Sequence, residues 1–258
     1  MEKEPLINFQ ESHEKEKFGR DVQIHAIFMR HGEKAASGEL TEEGKNQADR
    51  FGEELESKDA IKGYSSPVKR VIETVERAIE NSPHDKKLTT RIRTELGISP
   101  STSKEFLEKY RELEKRGHNA AAEWHLSFGA NRPDAETPSP HENAEAIAYI
   151  LNKYIRMADR LYSGSEVDLI NGTHQGFPEA LLKEILIRQE GDKKILGFEE
   201  LEEIGGALRP TEGMEFSIKT DEDGNKLVKL QFRGKTYDLD MDKLVALAEE
   251  YAKRQISK

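Results

Sequence analysis

The stretch Val22-Gln23-Ile24-His25-Ala26-Ile27-Phe28-Met29-Arg30-His31-Gly32-Glu33 decides the reading of the fold. Val22, Ile24, Ala26 and Phe28 alternate with a period of two, and Ile27 and Met29 make the end of the run apolar on both faces. A strand buried on both faces belongs to a parallel sheet with helices on either side. The polar triplet Arg30-His31-Gly32 then falls at the carboxyl end of that strand, where open α/β sheets bind ligands. Gly32 lets the backbone turn sharply. His31 offers an imidazole able to act as nucleophile or base near neutral pH. Arg30 offers a planar fork that matches phosphate oxygens.

Working outward, Thr41 caps a helix with Glu42 and Glu43 in its first turn. A short strand at 60–64 and a helix opened by Pro67 follow, the helix striped by Val68, Val71, Ile72, Val75 and Ile79. A third strand is expected at 88–93. Residues 97–140 break this rhythm with a charged helix near 104–116, an alanine-rich piece around Trp124 and a Pro/Asn/Asp loop. They read as a cap inserted over the sheet. A long helix at 142–162, a strand at 167–171 and a helix from Phe177 to Arg188 resume the alternation. Asp223-Gly224 marks a hairpin turn between apolar arms, and an amphipathic helix covers 241–254. The pattern predicts an α/β three-layer sandwich with a mostly parallel central sheet, an inserted helical cap and a C-terminal β-hairpin plus helix. Residues 1–20 read as a loosely packed arm and 21–258 as one domain.

The 258 residues are 35% charged, above the roughly 25% usual in soluble domains, yet periodic apolar segments argue against disorder. No apolar run reaches the length of a membrane span, and the charged N-terminus does not fit a signal peptide. The chain has no cysteine, so disulfides, thiolate nucleophiles and cysteine-ligated metals are excluded. A cytoplasmic location is the expectation. The net charge of −10 disfavours nucleic acid, so a phosphate site needs a local basic cluster.

Two more clusters repeat the arrangement of the first. Ser65-Ser66-Pro67, with Arg70 and Thr74, follows the second strand, and Gly172-Thr173-His174-Gln175-Gly176 follows the fourth. Arg70 falls in the first turn of a helix, whose N-terminus already favours anions. Three strand ends, each followed by a cationic or imidazole group, are best explained by convergence on one phosphate-sized site.

In order, Arg30-His31-Gly32-Glu33, Leu40-Thr41-Glu42-Glu43-Gly44-Lys45-Asn46-Gln47-Ala48, Ser65-Ser66-Pro67-Val68-Lys69-Arg70 with Thr74, and Thr173-His174 resemble the histidine phosphatase superfamily, the phosphoglycerate mutase-like fold. The resemblance covers roughly residues 22–95 and 140–220. It implies that His31 attacks phosphorus to form a phosphohistidine. Arg30, Arg70 and His174 would bind the phosphoryl oxygens, and neither metal nor cofactor is required. A carboxylate must protonate the leaving oxygen and then activate water. The mutase-like branch places it near Glu95; Glu105, on the insertion, is the rival. The other branch carries an Asp directly after the second histidine, where this chain has Gln175.

The chain departs from the family pattern at Glu33-Lys34-Ala35-Ala36-Ser37-Gly38, where relatives place a small hydroxyl residue and then an asparagine. The basic and aromatic stretch that grips phosphoglycerate in mutases is not visible in 97–140. These departures favour a phosphatase over a mutase. A non-catalytic phospho-ligand binding or scaffold protein is a third reading, opposed by the presence of all four pocket residues. The expected partner is a phosphorylated small molecule or phosphoprotein, with no role for nucleic acid or membrane. Among the other histidines, His25 reads as a sheet-face residue; His13, His84 and His118 as surface residues; and His125 and His141 as possible pocket borders. The run 108–115 reads as a solvated helix face. Pro140-His141-Glu142 loosely resembles a family segment whose glutamate supports the site.

Overall fold

The apolar run that opens the sequence forms β1 (Gln23–Arg30) near the middle of a nine-stranded sheet. The computed structural model describes residues 18–256, so most of the expected N-terminal arm and His13 lie outside the described residues. The parallel core comprises β3 (Lys87–Ile92), β2 (Ala60–Ser65), β4 (Glu166–Thr173) and β1, in that spatial order. Ile24 lies opposite Val167, and Arg30 opposite Thr173, so the two motif-bearing strand ends finish side by side.

Helices α1 (Glu42–Glu53) and α2 (Lys69–Glu80) cover one face. Ile27, Met29, Ile61 and Ile170 of the sheet pack there with Val75 and Ile79 of α2. The Thr41 hydroxyl accepts from the Gly44 amide at 2.9 Å, as the capping pattern requires. The opposite face lies under α5 (Pro140–Met157), α6 (Phe177–Ile185) and α7 (Met241–Ile256). There Phe28 and Phe216 meet edge to face, their rings 5.6 Å apart. Each fully buried side chain of this size contributes roughly 1.5–3 kcal/mol of transfer free energy. The long helix begins at Pro140, two residues before its expected start, because Ser139 and Glu142 form a reciprocal capping box.

The inserted cap contains α3 (Lys104–Glu114) and α4 (Ala120–Leu126). Phe106 stacks on Trp124, with ring centroids 5.0 Å apart, and ties the two helices together.

The C-terminal region extends the sheet. β7 (Gly213–Thr220) pairs antiparallel with β1, and β8 (Lys226–Phe232) and β9 (Lys235–Leu239) continue outward. Two further strands, β5 (Leu186–Glu190) and β6 (Lys193–Leu196), complete that edge. The sheet is therefore parallel at its core and antiparallel beyond β1. The helix expected over 177–188 stops at Ile185. Leu186 and Ile187 pair instead with Leu239 and Asp238, and the buried Arg188 donates to Gly197 O at 2.7 Å. Strand pairing far along the chain outweighs local helical preference. His84 also departs from expectation. It is 3% exposed, and its Nε2 lies 3.1 Å from Asp168 Oδ2 at the start of the sheet, far along β4 from the motif ends. No helix among the described residues is long and apolar enough to cross a membrane.

Candidate active site

The carboxyl ends of β1, β2 and β4 open into a cavity of about 690 Å³. Arg30, His31, Arg70 and His174 all line it, so the four residues drawn from three sequence clusters meet at one place. The sharp turn after β1 is enforced by packing. A Cβ on Gly32 would collide with the carbonyl oxygen of Gly44, the second residue bearing no side chain in this crossing. The Gly32 amide donates to Thr74 Oγ1 at 3.1 Å, and Thr74 donates to Arg70 O at 2.7 Å. Thr74 thus couples the first motif to the helix that carries Arg70.

His31 is 4% exposed. Its Nδ1 donates to the Gly32 carbonyl at 2.7 Å, and its Nε2 accepts from Arg70 Nε at 3.0 Å. A carbonyl oxygen only accepts and a guanidinium N–H only donates, which places the proton on Nδ1 and the lone pair on Nε2. Burial, followed by the nearby His174, Arg70 and Arg30, lowers the His31 pKa well below the ordinary value. The ring is therefore neutral at pH 7, with Nε2 aimed past a cation.

His174 is buried, and its Nε2 lies 3.0 Å from Ser66 Oγ. Burial and then the charges of Arg70, Lys34 and Arg30 hold its pKa well below 6.5. The His31 and His174 rings stand edge to face, 5.4 Å apart. Arg30 donates through Nη1 to Leu208 O at 2.9 Å, while its buried Nε meets no acceptor among the described residues. A buried N–H of this kind is costly unless something fills the site; an anionic oxygen there would satisfy it. Five cationic side chains (Arg30, Lys34, Arg70, Arg111 and Lys115) face two carboxylates (Glu33 and Glu114) in the lining. The local field is positive in a chain of net charge −10.

Glu95 is not part of this lining. It sits in the 3-10 turn Thr94–Leu96, whose Leu96 is fully buried. Its carboxylate acts on the phenols of Tyr154 and Tyr251, which burial and other neighbours also push upward. Glu105 is exposed on α3 and likewise stands outside the cavity. His141 is away from the lining too, paired with Glu145, Glu184 and Glu250. His125 does line the cavity, and burial lowers its pKa to about 4.

Several residues unremarked in the sequence shape the site. The run 108–115 is exposed at Glu108, Lys109, Arg111, Glu112 and Lys115, as expected of a solvated face, but Tyr110, Arg111, Glu114 and Lys115 also line the cavity. The spacing Phe106, Tyr110, Leu113 is the helical stripe that marks an inward side. Tyr110 donates to Gln175 O at 3.2 Å, and Gln175 Nε2 donates to His118 O at 2.9 Å, so Gln175 ties the cap to the end of β4. Glu179 is wholly buried and accepts from Gly176 N at 2.8 Å and Leu208 N at 2.7 Å. It therefore supports the Leu208 backbone that holds Arg30. Its position three residues into a helix is the capping-box signal that would have revealed it.

No curated protein matches the chain in sequence. Among solved structures it is similar to mycobacterial hydrolase 2 (15% identity, 89% of this chain and 98% of that one, TM-score 0.49). It is also similar to a mycobacterial glucosyl-3-phosphoglycerate phosphatase (15% identity, 80% and 97%, TM-score 0.47). A third is the phosphoserine phosphatase of Entamoeba histolytica, solved with 3-phosphoglyceric acid (17% identity, 83% and 96%, TM-score 0.46). Residues 26–196 match the family model of the histidine phosphatase superfamily, branch 1, and the chain belongs to that superfamily.

Proposed function

We propose that this chain is a metal-independent phosphomonoester hydrolase that works through a phosphohistidine on His31. The observation that carries the reading is the tethered imidazole. With Nδ1 bound to Gly32 O and Arg70 Nε at 3.0 Å from Nε2, the nucleophilic lone pair is held beside a phosphate-binding group.

Nε2 forms a bond to phosphorus as the P–O bond to the leaving group breaks. Arg30, Arg70 and His174 surround the transferring group, and the free N–H of Arg30 supplies a donor to an equatorial oxygen. A proton reaches the leaving oxygen. Water then attacks phosphorus, the N–P bond breaks and its electron pair returns to Nε2. The low pKa direction of both histidines suits this role, because a protonated His31 has no lone pair to attack with. The cavity is much larger than a phosphoryl group, and Phe106, Leu107 and Tyr110 of the cap supply apolar and aromatic surface for the leaving group. This favours a phosphorylated small molecule, or an extended phosphorylated side chain, as the substrate.

The test is hydrolysis of 4-nitrophenyl phosphate in excess chelator, beside trapping of labelled phosphoenzyme. Wild type should turn over without metal and carry an acid-labile phosphate. His31→Ala should do neither. Full activity in His31→Ala, or loss of wild-type activity on chelation, would sink the mechanism. Phosphoryl exchange between positions of one substrate without net hydrolysis would make the chain a mutase.

A further inference from the structure

The reaction needs a group that exchanges a proton with the leaving oxygen and with water, and neither Glu95 nor Glu105 lines the cavity. The lining holds two carboxylates. Glu33 is exposed, and its Oε1 accepts from Thr41 Oγ1 at 3.0 Å on the rim. Glu114 is different. Its side chain is 20% exposed, and its Oε1 lies 4.0 Å from Arg30 Nη2, on the guanidinium whose Nε is unpartnered. Lys34 Nζ donates to both of its oxygens, at 3.1 and 2.9 Å. Lys34 stands four residues after Arg30, on the loop that follows the nucleophile. The inserted helix therefore delivers a carboxylate, held in place by a donor of the motif loop, to 4.0 Å from the Arg30 guanidinium.

The other groups in the cavity do not suit the task. His125 is buried, with its Nε2 3.4 Å from Asn143 Nδ2, and it lacks the ion-pair contacts to Arg30 and Lys34 that Glu114 makes. The Tyr110 phenol is pushed far up by burial and donates to Gln175 O.

We infer that Glu114, contributed by the cap, is the catalytic proton carrier of this active site, and that Lys34 positions it; this rests on the phosphohistidine reading above. In the first half-reaction Nε2 of His31 bonds to phosphorus, the leaving oxygen departs with its electron pair, and a proton passes to that oxygen through Glu114. In the second, the Glu114 carboxylate takes a proton from water, the water oxygen bonds to phosphorus and the N–P bond breaks. The proton taken from water is the one supplied to the leaving oxygen over a full cycle, and the net change is ester plus water to alcohol plus phosphate. The acid thus sits on the element that also contacts the leaving group, so seating of the cap and protonation of the product are linked.

Two substrates separate the role from a structural one. 2,4-Dinitrophenyl phosphate has a leaving group that departs without a proton, and phenyl phosphate has one that needs it. Rapid-quench trapping should show Glu114→Gln slowed about 10²–10⁴-fold in phosphorylation by phenyl phosphate, the usual worth of a positioned acid. Phosphorylation by the dinitrophenyl ester should change by less than about 10-fold on the same reasoning. The phosphohistidine should then persist, because the water has lost its base. Glu95→Gln should leave both rates near wild type. Equal slowing of both substrates by Glu114→Gln, or no slowing of either, overturns the assignment, as does the same signature in Glu95→Gln. If Glu114→Gln does not fold, Lys34→Met decides the matter. It should slow the phenyl ester more than the dinitrophenyl ester, and equal effects overturn the inference. A wild type that forms no phosphohistidine on His31 refutes the underlying mechanism, an outcome distinct from all of these.

Discussion

Replacing Arg70 by lysine keeps a positive charge at the site and removes the fork. In the structure Arg70 donates through Nε to His31 Nε2 at 3.0 Å and through Nη1 to Gly38 O at 3.4 Å. A lysine offers one ammonium on a flexible stem and cannot present two coplanar N–H groups to a phosphoryl group and its attacking nitrogen. The Coulomb attraction survives, so substrate binding should weaken little. What is lost is one preorganised, charge-assisted hydrogen bond to the transition state. Losing a donor of this kind typically costs about 2.7–4 kcal/mol, or roughly 10²–10³-fold in kcat. Arg70→Lys should therefore lower kcat for 4-nitrophenyl phosphate by that factor, with a smaller change in KM. Urea unfolding should show a midpoint near wild type at unchanged slope, which separates lost chemistry from lost fold. Arg70→Met removes the charge as well. Because Arg70 is among the groups that lower the His31 pKa, its removal should move the acid limb of kcat/KM to higher pH. The sign follows directly: attack needs neutral His31, and a ring freed from a neighbouring cation binds its proton more tightly. A kcat within 10-fold of wild type in Arg70→Lys, or an acid limb that moves to lower pH in Arg70→Met, would refute this account.

Two further expectations concern stability. Gly32→Ala places a Cβ against the Gly44 carbonyl, with backbone rather than flexible side chain in the way. Overpacking of this sort costs about 1–3 kcal/mol, and each kcal/mol lowers Tm by roughly 2–4 °C in a domain of this size. A Tm equal to wild type would show that the turn relaxes freely. The second concerns Asp168, whose pKa burial raises to about 6, against the opposing pull of His25 and Lys58. A carboxyl raised on folding binds its proton more tightly in the native state, so its contribution favours folding at low pH and is lost as pH rises between about 4 and 6. Asp168→Asn has no such proton to lose. Its Tm relative to wild type should climb across that interval, and a difference independent of pH would contradict the assigned cause.

Much of the candidate site is legible in the sequence because parallel α/β sheets deliver strand ends to a common edge. Arg30, Arg70 and His174 each follow a strand that local pattern alone identifies, and the register of β1 against β4 then brings Arg30 and Thr173 side by side. The carboxylates of the cavity were not legible in the same way. Glu95 has the right place in the chain, but a 3-10 turn with Leu96 in the core leaves it outside the cavity. Glu114 sits in a run of charges that on composition resembles any solvated helix. Its proximity to Arg30 depends on a cap folding back across roughly eighty residues of chain.

Local sequence pattern identified the four strands of the parallel core, the capped helices and the groups Arg30, His31, Arg70 and His174 that line the cavity, since these depend on periodicity of two or 3.6 and on residues next to one another. Long-range packing set where Leu186–Arg188 would go, how β7 would close the parallel core with antiparallel strands, and which carboxylates would line the cavity. These depend on partners far away in the chain, and strand pairing and burial against such partners outweigh local preference.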